Sequence, residues 1–475
     1  MKKLLVLIVA LALMALLLVS CNSEENTPAS TESSVDSVPN TTDSSKQTED
    51  STTDSRNEAT DSSGSTSDSR DEATDSSDST SDSRNETTDS SDNTTDNSNI
   101  EEGTGDNKEN DKKRVVIDGI VYRLSDYAKE YYVEGVEGDE LTDLVIVDEC
   151  EGMPVTKILY KAFDGIEGLR SLHISKNIIE MDNGAIGNCQ SLTSITVSEE
   201  NAKFLSIDGN LYQSEGRMLY VYAIGKTQES FTVPDKVSQI WTCAFENCTN
   251  LKSVNLNKVH IIGGDAFKGC TNLSDLEIPK SVQVIDGGAF FGCISLESIE
   301  IPQSVREIGP SAFACCSSLK EINVEDGGNG WIRSENGVLY CMIEEEGMVL
   351  LQYPAGKEDT HFYINSSRDS IEIDKIAPYA FQGAKNLVSV VIGEDSYMTT
   401  IGGVAFWGCT NLEAIVINSE VKNVGNHLFT GCEKLTIYCQ RSQSDIEDLI
   451  KFGRKWSAIW NHENRPVVYD YVYEN

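Results

Sequence analysis

From Arg114 onward the apolar positions keep a beat. Ala-Phe pairs end at Phe163, Phe245, Phe267, Phe290, Phe313, Phe381 and Phe406, and Ala185-Ile186 and Leu428-Phe429 fall in the same frame. These nine anchors lie mostly 22 to 25 residues apart, and six residues after each stands a leucine, from Leu169 to Leu435. Nine and eleven residues after the anchor come apolar pairs such as Leu172/Ile174, Val254/Leu256 and Ile415/Ile417. That alternation predicts a strand with one buried face. Five residues before the anchor the position is again apolar, as at Ile158, Ile262, Ile308 and Val424. Burying a large side chain yields roughly 1.5 to 3 kcal/mol. One turn with five of them cannot offset its own backbone entropy, so only a stacked array is stable.

Two spacings are longer, 59 residues from Ile186 to Phe245 and 68 from Phe313 to Phe381. Both contain the same signals. Asp208-Gly209 and Asn336-Gly337 mark tight turns, Glu215-Gly216 and Glu346-Gly347 mark second reversals, and Leu219-x-x-Tyr222-x-x-Gly225-Lys226 is echoed by Leu350-x-x-Tyr353-x-x-Gly356-Lys357. Each insertion, 198–233 and 326–364, therefore reads as a hairpin-bearing larger turn.

The unit Ile-Gly-x-x-Ala-Phe-x-Gly-Cys-x-x-Leu-x-x-Ile-x-Ile-Pro-x-Ser-Val, nearly spelled by residues 285–305, resembles the BspA-like leucine-rich-repeat family. The resemblance covers roughly Arg114 to the C-terminus. It implies a leucine-rich-repeat solenoid, β-dominated α/β, in which a parallel strand ladder alternates with short helical or irregular return segments. It also implies surface binding, since members are described as adhesins for host matrix proteins, host cells or other bacteria. On this reading 114–157 form an N-terminal cap, 158–439 the solenoid and 440–475 a C-terminal cap that closes with Trp456, Trp460, Pro466 and Val467-Val468-Tyr469.

The N-terminus carries a different signal. Lys2 and Lys3 precede an apolar run from Leu4 to Val19, too short to span a membrane, which reads as a signal peptide over 1–20. Leu18-Val19-Ser20-Cys21 resembles the bacterial lipobox, which implies a lipid on Cys21 as the membrane attachment and a place on the outer surface. Residues 21–113 then read as a disordered stalk. From Asn22 to Asn110 there is no aromatic residue, and 24 acidic residues face five basic ones, about half of the chain's formal net charge of −39. Such a stretch cannot bury enough surface to fold. Its recurring unit, as in Asp54-Ser55-Arg56-Asn57-Glu58 and Asp82-Ser83-Arg84-Asn85-Glu86, suits a spacer. A flexible chain of this length spans on average ~50 Å, with a contour near ~300 Å.

The solenoid's acidity repels phosphate, which argues against nucleic acid as a partner. There is no nucleophile elbow, no His-Glu-x-x-His and no phosphate-binding glycine loop, so the expectation is a non-enzyme without cofactor. Of the thirteen cysteines, seven stand three residues after an anchor, from Cys189 to Cys432, where other turns place Ile166 and Ala384. A slot that accepts Ile and Ala reads as a buried ladder of reduced thiols rather than disulfides or metal ligands. The five histidines, His173, His260, His361, His427 and His462, are scattered through the turns and offer no evident metal site.

What remains is a surface. The residues eight and ten after the anchor face outward, and their character changes along the array. Early turns are polar (Ser171, His173, Ser194, Thr196), middle turns acidic (Asp275, Glu277, Glu300, Glu321), and late turns apolar (Val391, Ala414, Val416, with Trp407 at the turn). These two groups are the candidate contact sites. The expected partner is a macromolecule met by a monomer, either a host or bacterial surface in adhesion or, as the alternative, a wall polymer in an envelope scaffold.

Overall fold

A computed structural model of the chain describes residues 114–472, except 139–140, 329, 345, 365–370 and 452–455. The signal peptide, Cys21 and the stalk lie outside the described residues.

The anchors and their partners build a turn that contributes one strand to each of two ladders. The alternating pairs form strands of two to four residues, from Asp143–Val145 through Ser171–Ile174, Ser253–Asn255 and Ser298–Ile301 to Thr436–Cys439 and Val467–Val468. They pair in parallel and in register within four runs, 143–197, 230–277, 298–324 and 361–468, for example Ser253↔Asp275, Asn255↔Glu277 and Val416↔Tyr438. The apolar position five before the anchor also sits on a strand, which the pattern alone did not show. Two-residue strands such as Gln239–Ile240, Ile261–Ile262, Val284–Ile285 and Glu307–Ile308 form a second parallel ladder. The described residues thus make thirteen turns, counted by strands of the first ladder.

Nine of these carry the anchors read from the sequence, and the other four lack an Ala-Phe pair. One opens the array at Asp143–Val145, and one closes it with Val467–Val468, where Trp456 bridges to Val424. The remaining two lie inside the insertions. Their strands Met218–Val221 and Gly347–Gln352 join the short ladder beside Ile240 and Ile376, and Ser230–Thr232 and His361–Ile364 join the long one. Tyr222 and Tyr353 take the anchor place and stack on Phe245 and Phe381 at 4.9 and 5.1 Å. The hairpin ahead of each, closed by Asp208-Gly209 or Asn336-Gly337, folds against the preceding strand through Ile195 N–H to Gly209 O and Ile322 N–H to Gly337 O.

Inside, the anchor rings form columns. Phe245, Phe267, Phe290 and Phe313 lie nearly parallel with centroids 4.7, 5.3 and 5.4 Å apart, close to the spacing of paired strands. The return segments around them are irregular rather than helical, for a local reason. In all nine anchored turns the residues two before and two after the anchor have positive φ, as at Lys161 and Gly165, Asp265 and Gly269, or Val404 and Gly408. A left-handed residue every four positions cannot propagate an α-helix. The one α-helix among the described residues is Gln443–Lys451, beyond the last anchored turn, where Ile446 is buried with Trp456 and Trp460.

The cysteine slot turns out to be polar as well as apolar. The thiols of Cys270, Cys293, Cys316, Cys409 and Cys432 each donate, at 3.1 Å, to the anchor Phe carbonyl of the turn before. Twelve cysteines are described, and none of them is in a disulfide. Burial pushes the thiols of Cys270, Cys293 and Cys409 well above the ordinary thiol range, that of Cys189 up to about 11 and that of Cys316 up to about 12, so these remain protonated donors rather than reactive thiolates.

Candidate binding surface

Parallel register carries each outward side chain directly beside its counterpart in the next turn, so the long ladder presents two rows. In the middle of the array one row runs Ser230, Ser253, Asp275 and the other Thr232, Asn255, Glu277. These six residues line a shallow groove of about 300 Å³ with Asn257 and Pro279 at its edge. Ser298 and Glu300, paired with Glu321 and Asn323 in a separate two-stranded sheet, hold the equivalent positions in the next two turns.

The four acidic residues predicted for this face, Asp275, Glu277, Glu300 and Glu321, are therefore brought onto one surface, and all are exposed. None of them has an ion-pair partner among the described residues. Carboxylates around them do. Lys258 and Asn257 hold the Asp235 carboxyl below the usual carboxylate range, and Lys280 does the same for Glu325. Lys252 pairs with Glu229 at 2.8 Å and Lys320 with Glu297 at 3.6 Å. The basic residues thus neutralise the rim and leave the face itself negative. Sequence spacing missed Ser230 and Thr232, because the anchor of their turn is Tyr222; the alternation Phe231/Val233 was the available signal.

The late face is different in kind. Val391 and Val416 are neighbours in one row, but only 9% and 6% exposed, and neither belongs to the interior core. Tyr363 from the second insertion flanks them on one side and Tyr438 on the other, with Tyr471 against Tyr438 at 4.9 Å. The valines are the floor of a strip walled by tyrosines. Ala414 lies in the adjoining row between Ser389 and Thr436. Trp407 is not on this face. It follows Phe406 on the return segment, where its carbonyl accepts from Gly383 N–H.

Because Val391 and Val416 are already covered, substituting serine removes buried apolar surface and strands a hydroxyl. Val391→Ser and Val416→Ser are each expected to cost about 1 to 2 kcal/mol. Urea unfolding checks this; unchanged midpoints would mean that the strip is not packed in solution.

In comparisons with known proteins, a model of the BspA type leucine-rich-repeat region matches in six copies, over residues 142–216, 220–331 and 359–449. No curated protein matches in sequence. Among solved structures, the chain is similar to a leucine-rich cell surface protein from Faecalibacterium prausnitzii, at 21% identity over 76% of this chain and 95% of that one, with a TM-score of 0.45. The pneumococcal vaccine antigen PcpA is 18% identical over 76% of this chain and 99% of its own, with a TM-score of 0.38. A leucine-rich-repeat protein from Eubacterium ventriosum is 19% identical over 69% and 78%, with a TM-score of 0.35.

Proposed function

Since the chain belongs to the BspA-type leucine-rich-repeat family, we propose that it is a cell-surface adhesion module that binds a macromolecule, foremost a protein, through the exposed face of its long ladder. The observation that carries this reading is the middle face. Asp275, Glu277, Glu300 and Glu321 stand in successive turns, exposed and without ion-pair partners among the described residues, and Asp275 and Glu277 line a groove with Ser, Thr and Asn side chains. Repeat registry gives such a face a fixed spacing along many turns, which suits recognition of an extended partner. Exposed carboxylates contribute mainly to specificity and association rate.

The test is a screen of the purified protein against matrix proteins, glycans and peptidoglycan, repeated with Asp275→Asn, Glu277→Gln, Glu300→Gln and Glu321→Gln combined. Surface substitutions of this kind are expected to shift stability by no more than about 0.5 kcal/mol each. Binding should nevertheless fall. Equal binding by the combined variant removes this face from the reading, and binding confined to peptidoglycan replaces adhesion by the wall-scaffold alternative.

In the same proposal a lipid on Cys21 is the attachment. Acyl chains add roughly 0.8 kcal/mol per buried methylene, enough for stable anchoring when more than one chain is joined. Cys21→Ala is therefore expected to abolish fatty-acid labelling and to leave the protein unprocessed or released. Label retained in the variant would overturn the assignment.

A further inference from the structure

The structure brings together two of the histidines that look isolated in the sequence. His427 lies two residues before the anchor Phe429, in the left-handed slot, with φ of 50°. His462 lies beyond Trp460 in the segment that closes the array. Their ring centroids are 4.3 Å apart, at an interplanar angle of 69°.

The fold does not ask for histidine here, because the same slot holds Lys161, Asp265, Ser311 and Val404 in other turns. Nor are the rings engaged by hydrogen bonds among the described residues. By contrast, Nδ1 of His173 faces Thr196 Oγ1 at 2.9 Å and Nδ1 of His361 faces Ser389 Oγ at 2.7 Å. The backbones beneath the pair are fixed, since His427 N–H donates to Ile459 O and Leu428 N–H to Trp460 O, both at 3.1 Å. His462 itself is exposed, so its ring has room to swing.

With metal–nitrogen bonds of about 2.0 to 2.1 Å and a near-tetrahedral angle, two imidazoles sharing one zinc ion place their ring centres about 5 Å apart. The observed separation of 4.3 Å is shorter, so the exposed His462 ring would have to move outward to share an ion with His427. The neighbouring Glu463 carboxylate is engaged elsewhere, accepting from Gly431 N–H at 3.2 Å and pairing with Arg465. Water would complete the coordination. We propose that His427 and His462 form a two-histidine site for a late-transition divalent ion, zinc in particular, that ties the C-terminal segment to the last anchored turn. Imidazole nitrogens suit zinc, copper and nickel, whereas calcium and magnesium favour oxygen donors. The two ligands come from different segments, so the site exists only while the C-terminal segment is docked, and the ion stabilises the docked state by mass action.

The full protein is titrated with zinc chloride by calorimetry and unfolded thermally with and without zinc, beside His427→Ala and His462→Ala. The unsubstituted protein is expected to bind zinc with a raised unfolding midpoint. His462→Ala, at an exposed position that leaves the fold intact, should weaken that binding about tenfold or more and abolish the shift. Calcium chloride should give no response that depends on His462. Absence of zinc binding to the unsubstituted protein, or equal zinc binding and midpoint shift in His462→Ala, overturns the proposal.

Discussion

Phe290→Ala is expected to lower the stability of the solenoid by about 3 to 5 kcal/mol. The ring is completely buried and sits between Phe267 and Phe313, so its removal opens a void that faces two turns at once. Aromatic pairs of this geometry add roughly 0.5 to 1.5 kcal/mol beyond the area they bury, and here two pairs are lost. The interior is held by parallel main chains on both ladders, which limits collapse into the gap. Because each turn is stabilised chiefly by its neighbours, the loss also divides the array into two shorter stacks. Urea unfolding followed by far-ultraviolet circular dichroism measures it. A cost below about 1 kcal/mol would mean that the ring column does not hold the turns together.

Gly225→Ala is expected to be nearly as damaging, at about 3 kcal/mol, although it adds a single methyl group. Gly225 stands three residues after Tyr222, in the slot that other turns give to cysteine. There its N–H donates to Leu192 O at 2.8 Å, and an added Cβ would lie 2.4 Å from the carbonyl carbon of Ser191 and 2.5 Å from Leu192 N. Main-chain atoms cannot turn aside as a flexible side chain can. Gly356 repeats the arrangement in the second insertion, with an added Cβ at 2.6 Å from Ser317 O and Ser318 C. The same slot in an ordinary turn should behave quite differently. Cys270→Ala loses one thiol hydrogen bond and one sulfur atom's packing, a cost of about 1 to 2 kcal/mol. Denaturant midpoints of the two variants decide the matter, and equal costs would show that the slot has one environment throughout.

The fold was legible because a solenoid writes each contact many times. Phe, Leu and the alternating pairs recur at fixed offsets, so the buried face of the long strands, the register of the array and the stacked anchors follow from spacing alone. The echo between Leu219-x-x-Tyr222-x-x-Gly225 and Leu350-x-x-Tyr353-x-x-Gly356 was also visible. Its meaning was not, since tyrosine for phenylalanine and glycine for cysteine conceal a regular turn unless the chain packed against it is known. The middle acidic face was found for the same reason as the core: outward positions are fixed once inward ones are.

What the sequence determined by itself, then, is periodic: which side chains point inward, which outward, and that only a stacked array could bury them. Tertiary structure decided what depends on neighbours from other turns. It covered Val391 and Val416 between Tyr363 and Tyr438 and set His427 against His462. The physical reason is that exposure and side-chain encounter are properties of pairs of segments, whereas periodicity reports only the orientation of each residue within its own turn.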